Sequence, residues 1–204
     1  MIQNVVTSII LYSGTAVDLL IILMLFFAKR KSRKDIINIY LGQFLGSVSL
    51  ILLSLLFAFV LNYIPSKEIL GLLGLIPIFL GLKVLLLGDS DGEAIAKDGL
   101  RKDNKNLIFL VAMITFASCG ADNIGVFVPY FITLNLANLI VALLTFLVMI
   151  YHLVFSAQKL AQVPSVGETL EKYSRWFIAV VYLGLGIYIL IENNSFNILR
   201  TVFG

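Results

Sequence analysis

Residues 107–131 read LIFLVAMITFASCGADNIGVFVPYF, and the fold turns on this stretch. As a helix it is long enough to cross a bilayer core of about 30 Å. Inside the apolar run sits a carboxylate, Asp122. Such a group near the bilayer centre costs about 3 kcal/mol even on insertion-based scales. A second carboxylate stands in a similar frame near the other end of the chain. There, Ser13-Gly14-Thr15-Ala16-Val17-Asp18 answers Ser118-Cys119-Gly120-Ala121-Asp122-Asn123. Two intramembrane aspartates in matching settings mark a pathway or binding site for a cation. Cys119, three residues before Asp122, points to a soft one.

The rest of the chain sets the class. Its 204 residues are 60% hydrophobic and 13% charged, with a mean hydropathy of +1.01. Soluble domains carry about 25% charged residues, so this is an integral membrane protein without room for a separate soluble catalytic domain. The sequence pI near 9.0 comes from basic residues in short loops beside apolar runs and does not signal nucleic-acid binding. A single cysteine excludes an internal disulfide. The first apolar run has its basic cluster after it and none before it, the reverse of a secretory signal. It reads as a retained first helix.

Runs of about 20 apolar residues, each able to span, occur at 5–28, 38–62, 69–88, 107–131, 135–157 and 176–193. The strand alternation of a membrane barrel is absent. The expected fold is an all-α integral membrane protein with six transmembrane helices. Loop charge sets the orientation. The first loop holds Lys29, Arg30, Lys31, Arg33 and Lys34, the third Lys97, Arg101, Lys102 and Lys105, and the fifth Lys159, Lys172 and Arg175. The second loop has only Lys67, the fourth has no charge, and the C-terminal tail has Arg200. Positive loops stay cytoplasmic, which places both termini outside.

The two halves also repeat. Aligning Asp18 with Asp122 pairs Gly14 with Ser118, Thr15 with Cys119, Phe26 with Tyr130 and Phe27 with Phe131. One residue of slip later, Leu80-Gly81-Leu82 matches Leu183-Gly184-Leu185. Three spans per half make the second half inverted relative to the first, an arrangement of transporters with a site near the midplane. The organisation expected is a first repeat at 1–88, a polar cytoplasmic linker at 89–106 and an inverted second repeat at 107–204.

Helix positions three and four apart share a face, so Cys119, Asp122 and Asn123 project together, as do Thr15 and Asp18. A pseudo-two-fold axis would combine them into two carboxylates, a thiol, a hydroxyl and an amide oxygen. Thiolate selects soft or borderline ions, and carboxylate alone suits hard ones. The mixed set favours a Cd²⁺- or Zn²⁺-like ion, whose binding would itself favour the Cys119 thiolate. Pro129 and Gly120 predict a kink in the fourth span that would turn carbonyls toward the ion, with Pro77 acting similarly in the third. Moving one positive charge out against the membrane potential costs about 2.3 kcal/mol per 100 mV. Two aspartates that each take up a proton as the metal leaves would make the exchange electroneutral.

Other polar groups have plainer readings. A buried structural pair is the alternative for the two aspartates, and a small buried hydrophobe for Cys119. Asn123, Thr15, Gln43 and Ser47 would bond neighbouring helices. Lys83 would snorkel, or with Gln43 serve a proton relay or secondary site. His152, the only histidine, would relay protons, form a secondary site or bond a neighbouring helix. Gly71, Gly74, Gly81, Gly184 and Gly186 read as close-packing surfaces, and such faces would permit a homodimer. No nucleotide-binding loop, dinucleotide fingerprint or nucleophile-and-base frame is present. No enzyme and no resident cofactor is expected; the partners are the lipid bilayer, the transported ion and protons.

Several segments resemble a known family. Thr15-Ala16-Val17-Asp18-Leu19-Leu20, Ile39-Tyr40-Leu41-Gly42-Gln43, Leu75-Ile76-Pro77-Ile78-Phe79-Leu80-Gly81-Leu82-Lys83 and Ser118-Cys119-Gly120-Ala121-Asp122-Asn123-Ile124-Gly125 are similar to CadD-type cadmium-resistance transporters of the lysine-exporter (LysE) superfamily. The resemblance runs from about residue 5 to 193. It implies a multi-pass bacterial plasma-membrane protein that exports cadmium and so confers resistance. Relatives in that superfamily handle manganese or basic amino acids, and family labels mention quaternary ammonium compounds. The site offers no aromatic cage for the last. Cys119 counts against manganese, and only Lys83 is available to hold an amino-acid carboxylate. From another class, a membrane scaffold subunit would tolerate asparagine at both aspartates.

Overall fold

In hydrocarbon every backbone N–H and C=O must be satisfied within its own segment, and the apolar runs achieve this as helices. A computed structural model describes residues 2–29, 32–61, 67–87, 106–193 and 195. Its helices are α1 (Ile2–Thr15), α2 (Val17–Lys29), α3 (Arg33–Leu61), α4 (Lys67–Gly71), a 3₁₀ turn at Leu72–Gly74, α5 (Leu75–Leu87), α6 (Leu107–Thr133), α7 (Leu136–Leu160) and α8 (Pro164–Glu192). Among the described residues there is no strand. The expected linker at 89–106 lies outside the described residues except for Asn106, as do Arg30, Lys31 and Arg200.

Polar residues at the ends of the apolar runs start the helices. Ser32 Oγ accepts the Asp35 backbone N–H at 3.0 Å and donates to the Asp35 carboxylate at 2.7 Å, a reciprocal cap for α3. Asn106 accepts from the Phe109 N–H at 3.3 Å to open α6, and Asn135 from the Asn138 N–H at 2.9 Å to open α7. Five segments are long and apolar enough to cross a membrane: Arg33–Leu61, Ile69–Leu86, Leu107–Thr133, Leu136–Leu160 and Tyr173–Glu192. A sixth is counted if α1 and α2 form one bent span.

That bend departs from the expected straight first helix. The axes of α1 and α2 differ by 57°, with Ala16 between them. Thr15 Oγ1 donates back to the Tyr12 carbonyl at 3.1 Å, a local bond of the kind that bends helices. The Ala16 carbonyl then accepts the Leu20 N–H at 2.9 Å and starts the new helix. The kink expected at Gly120 and Pro129 does not interrupt the helix, and α6 runs unbroken through both. Pro129 removes one bond near the C-terminal end of a helix that α3 supports along much of its length. Pro77 falls in the first turn of α5, directly after the 3₁₀ turn at Leu72–Gly74 and inside the span Ile69–Leu86.

Small residues decide which helices pair. The most extensive packing joins α3 to α6, α5 to α8, and the bent α1–α2 pair to α7. A Cβ on Gly42 would sit 2.6 Å from the Ile108 carbonyl oxygen, and one on Gly46 2.8 Å from Thr115 Cβ. This Gly-x-x-x-Gly stripe therefore brings the α3 and α6 backbones together, the usual way membrane helices gain packing energy. Gly74 and Gly186 face each other's carbonyls across the α5–α8 seam. Gly184 is different: a Cβ there would meet nothing within 4 Å. Its reading as a close-packing position is corrected, because Gly184 points away from the seam that Gly186 fills.

Candidate ion-binding site

The bend gives Asp18 a particular setting. It lies in the first turn of α2, where unpaired backbone N–H groups and the helix dipole favour negative charge. Thr15, on the other side of the break, closes the C-terminal end of α1, which favours positive charge. Thr15 is buried and Asp18 half-buried. On α6, Cys119 and Asn123 are buried and Asp122 is half-buried. The Asn123 amide N–H donates to the Cys119 carbonyl at 2.9 Å, leaving its side-chain oxygen as the remaining acceptor.

These residues converge only in part. Thr15 and Asn123 line one small cavity of about 10 Å³ together with Tyr12, Ala16, Leu19, Ser47, Leu50, Ile51 and Phe127. All of these lining residues are buried. Asp18, Asp122 and Cys119 do not line it, though each engages neighbouring groups. Among the described residues no three His, Cys, Asp or Glu side chains are grouped closely enough to hold a metal ion. In this state the chain holds a pocket of neutral oxygens, with the carboxylates on the adjoining turns of the same helices.

Gln43 belongs to the wall behind the pocket. It is fully buried, accepts from Thr115 Oγ1 at 2.6 Å and donates to Ser47 Oγ at 2.8 Å. A polar chain thus runs from α6 through α3 to the cavity. Lys83 and His152 are exposed. His152 lines a separate, larger cavity of about 380 Å³, with Tyr12, Ser13, Ala16, Ser156 and Ser174 among its other walls.

Three participants escaped the sequence reading. Tyr12 is 3% exposed, and among the described residues its hydroxyl makes no close hydrogen bond, only a looser interaction with Ser47. It lies beside Ser47 and within electrostatic reach of Cys119. Ser118 Oγ is likewise buried and unpartnered, and Thr115 anchors the Gln43 chain. Tyr12 had a legible signal, standing three residues before Thr15 and six before Asp18 in an apolar run.

No curated protein and no solved structure matches the chain. A family model described as cadmium resistance transporter matches residues 12–202. That span takes in the bend at Ala16, the Gly42–Gly46 stripe, the Cys119–Asn123 turn and every residue lining the small cavity. An all-helical membrane protein with buried polar chemistry at its centre, the chain belongs to the cadmium resistance transporter family.

Proposed function

We propose that the chain exports a soft or borderline divalent cation, Cd²⁺ first and Zn²⁺ second, by exchange with protons carried on Asp18 and Asp122. Beyond the family itself, the observation that carries this reading is the break at Ala16 beside a buried polar pocket. Broken helices with charged or polar groups at their ends are how secondary transporters hold ions near the midplane. Metal and protons alternate on the same carboxylates, so two charges return inward for each dication that leaves. The break lies between Thr15 and Asp18, and rotation of α2 about it would carry Asp18 toward the oxygens of the pocket. Cys119 adds the soft ligand.

Six spans in two inverted halves, 1–88 and 107–204, suit the packing. Exchanging the halves maps the α3–α6 pair onto the α7 and α1–α2 pair, and α5–α8 onto itself. With a rise of about 1.5 Å per residue and the 57° bend, α1 and α2 together reach about 36 Å, enough to cross the hydrocarbon. Both termini face outward in this reading, and the membrane is the bacterial plasma membrane.

One observation favours a second reading. The pocket walls offer oxygens only, from Tyr12, Thr15, Ser47 and Asn123, a set that suits harder ions such as Mn²⁺. A basic amino acid is disfavoured, because Lys83 is exposed and lines neither cavity. Metal tolerance of sensitive cells separates these readings. Cells expressing wild type, Asp18→Asn, Asp122→Asn or Cys119→Ser at equal levels would be titrated with Cd²⁺, Zn²⁺ and Mn²⁺. Protection against Cd²⁺ by wild type, lost in both aspartate variants, supports the proposal. Equal behaviour of all four proteins would instead favour a scaffold.

A further inference from the structure

The larger cavity and the small pocket share two wall residues, Tyr12 and Ala16. The larger one is an open, mostly apolar groove with a few polar groups on its walls. Its outer walls, His152 and Ser156 on α7 and Ser174 on α8, lie toward the end of the bundle that carries Lys159 and Arg175. At its inner end Tyr12 is clamped by other rings, stacked 6.5 Å from Phe127 and tilted 5.4 Å from Phe146. Tyr12 thus lines both cavities, and its buried hydroxyl makes no close hydrogen bond among the described residues. At about 10 Å³ the pocket takes one water-sized particle and no more. A hydrated dication does not fit; a dehydrated one does.

We propose that Tyr12 gates an enclosed single-ion subsite, its ring separating groove from pocket and its hydroxyl joining Thr15, Ser47 and Asn123 as an oxygen ligand to one dehydrated cation. This role rests on the transport reading, but the gate can be tested without it. The pocket selects by size and desolvation, since an ion must exchange its water shell for these oxygens to enter. The charge is balanced by Asp18 and Asp122 on the adjoining turns. The Gln43–Thr115 chain holds Ser47 in position behind the pocket. The bend at Ala16 lets the Tyr12 end of α1 and the Asp18 end of α2 move separately.

The test uses a single thiol in the pocket. The full chain carrying Ser47→Cys and Cys119→Ser, reconstituted in liposomes, is treated with a small methanethiosulfonate reagent from the side of the basic loops. Labelling is slow while Tyr12 is present and at least tenfold faster with Tyr12→Ala added. Phe26→Ala, which removes a fully buried ring of α2 that borders neither cavity, leaves the rate unchanged. Equal rates with and without Tyr12, or equal acceleration by Phe26→Ala, would overturn the gate. The ligand role is read separately with Tyr12→Phe, which keeps the ring and drops the hydroxyl. Its Cd²⁺ flux falls at least fivefold with labelling still slow, and wild-type flux would overturn that role. A wild-type chain that moves no Cd²⁺ sinks the transport reading and the ligand role with it, while the labelling still judges the gate.

Discussion

Alanine at Gly42 and alanine at Gly184 should have opposite consequences, although both replace a membrane-helix glycine. At Gly42 the new Cβ lands 2.6 Å from the Ile108 carbonyl oxygen and 2.8 Å from Val111 Cβ. Comfortable contacts begin near 3.5 Å, so α3 and α6 must part by about 1 Å. The nearest obstacle is backbone and cannot rotate aside. Overpacking of this kind costs about 1–3 kcal/mol. At Gly184 nothing lies within 4 Å, so only the helix propensity changes, in favour of alanine by about 1 kcal/mol. Gly42→Ala gains the same propensity term, and the difference between the two variants isolates the clash. The unfolding equilibrium should then differ by about 5- to 150-fold between them. Reversible unfolding in mixed detergent micelles, followed by far-ultraviolet circular dichroism, measures this directly. Equal midpoints for Gly42→Ala and Gly184→Ala would refute the claim that the Gly42–Gly46 stripe sets the α3–α6 distance.

The same logic yields further expectations. Gln43→Leu removes bonds to both Thr115 and Ser47 and should destabilise the chain by about 1 kcal/mol, as intramembrane hydrogen bonds average about 0.6 each; no change in the unfolding midpoint would contradict it. Cys119→Ser should lower tolerance to Cd²⁺ at least fivefold more than tolerance to Mn²⁺, measured as growth of sensitive cells. Lys83→Gln, altering an exposed residue outside both cavities, should leave Cd²⁺ flux within twofold of wild type. His152→Ala should slow delivery through the larger cavity, raising the Cd²⁺ concentration for half-maximal flux with little effect on the maximal rate.

Which parts of this account were legible in the sequence follows from what hydropathy encodes. Length and apolarity gave the spans corresponding to α3, to α4 through α5, to α6 and to α7 within a few residues, because a bilayer imposes one requirement on every segment. The start of the last span was harder, as α8 starts at Pro164, well before its apolar window at Tyr173. The break at Ala16 was not legible: no proline marks it, and it arises from tertiary packing with a Thr15 back-bond. Pro129 looked like the weaker point, yet α6 is unbroken there. Helix spacing put Thr15 with Asp18 and Asn123 with Asp122, whereas the structure lines one pocket with Thr15 and Asn123 and leaves both aspartates out of its walls. Tyr12 stayed hidden because a tyrosine in an apolar run resembles an interfacial anchor until its depth is known.

The central claim concerns exchange on Asp18 and Asp122, and one flux measurement tests it most directly. The purified chain is placed in liposomes with the membrane potential clamped, and Cd²⁺ movement is followed with an enclosed metal indicator under an imposed pH gradient. The account predicts Cd²⁺ uphill movement opposite to the protons, with matching proton counterflow, and at least tenfold slower flux in Asp122→Asn. Cd²⁺ flux indifferent to the pH gradient, or unchanged in that variant, would contradict it.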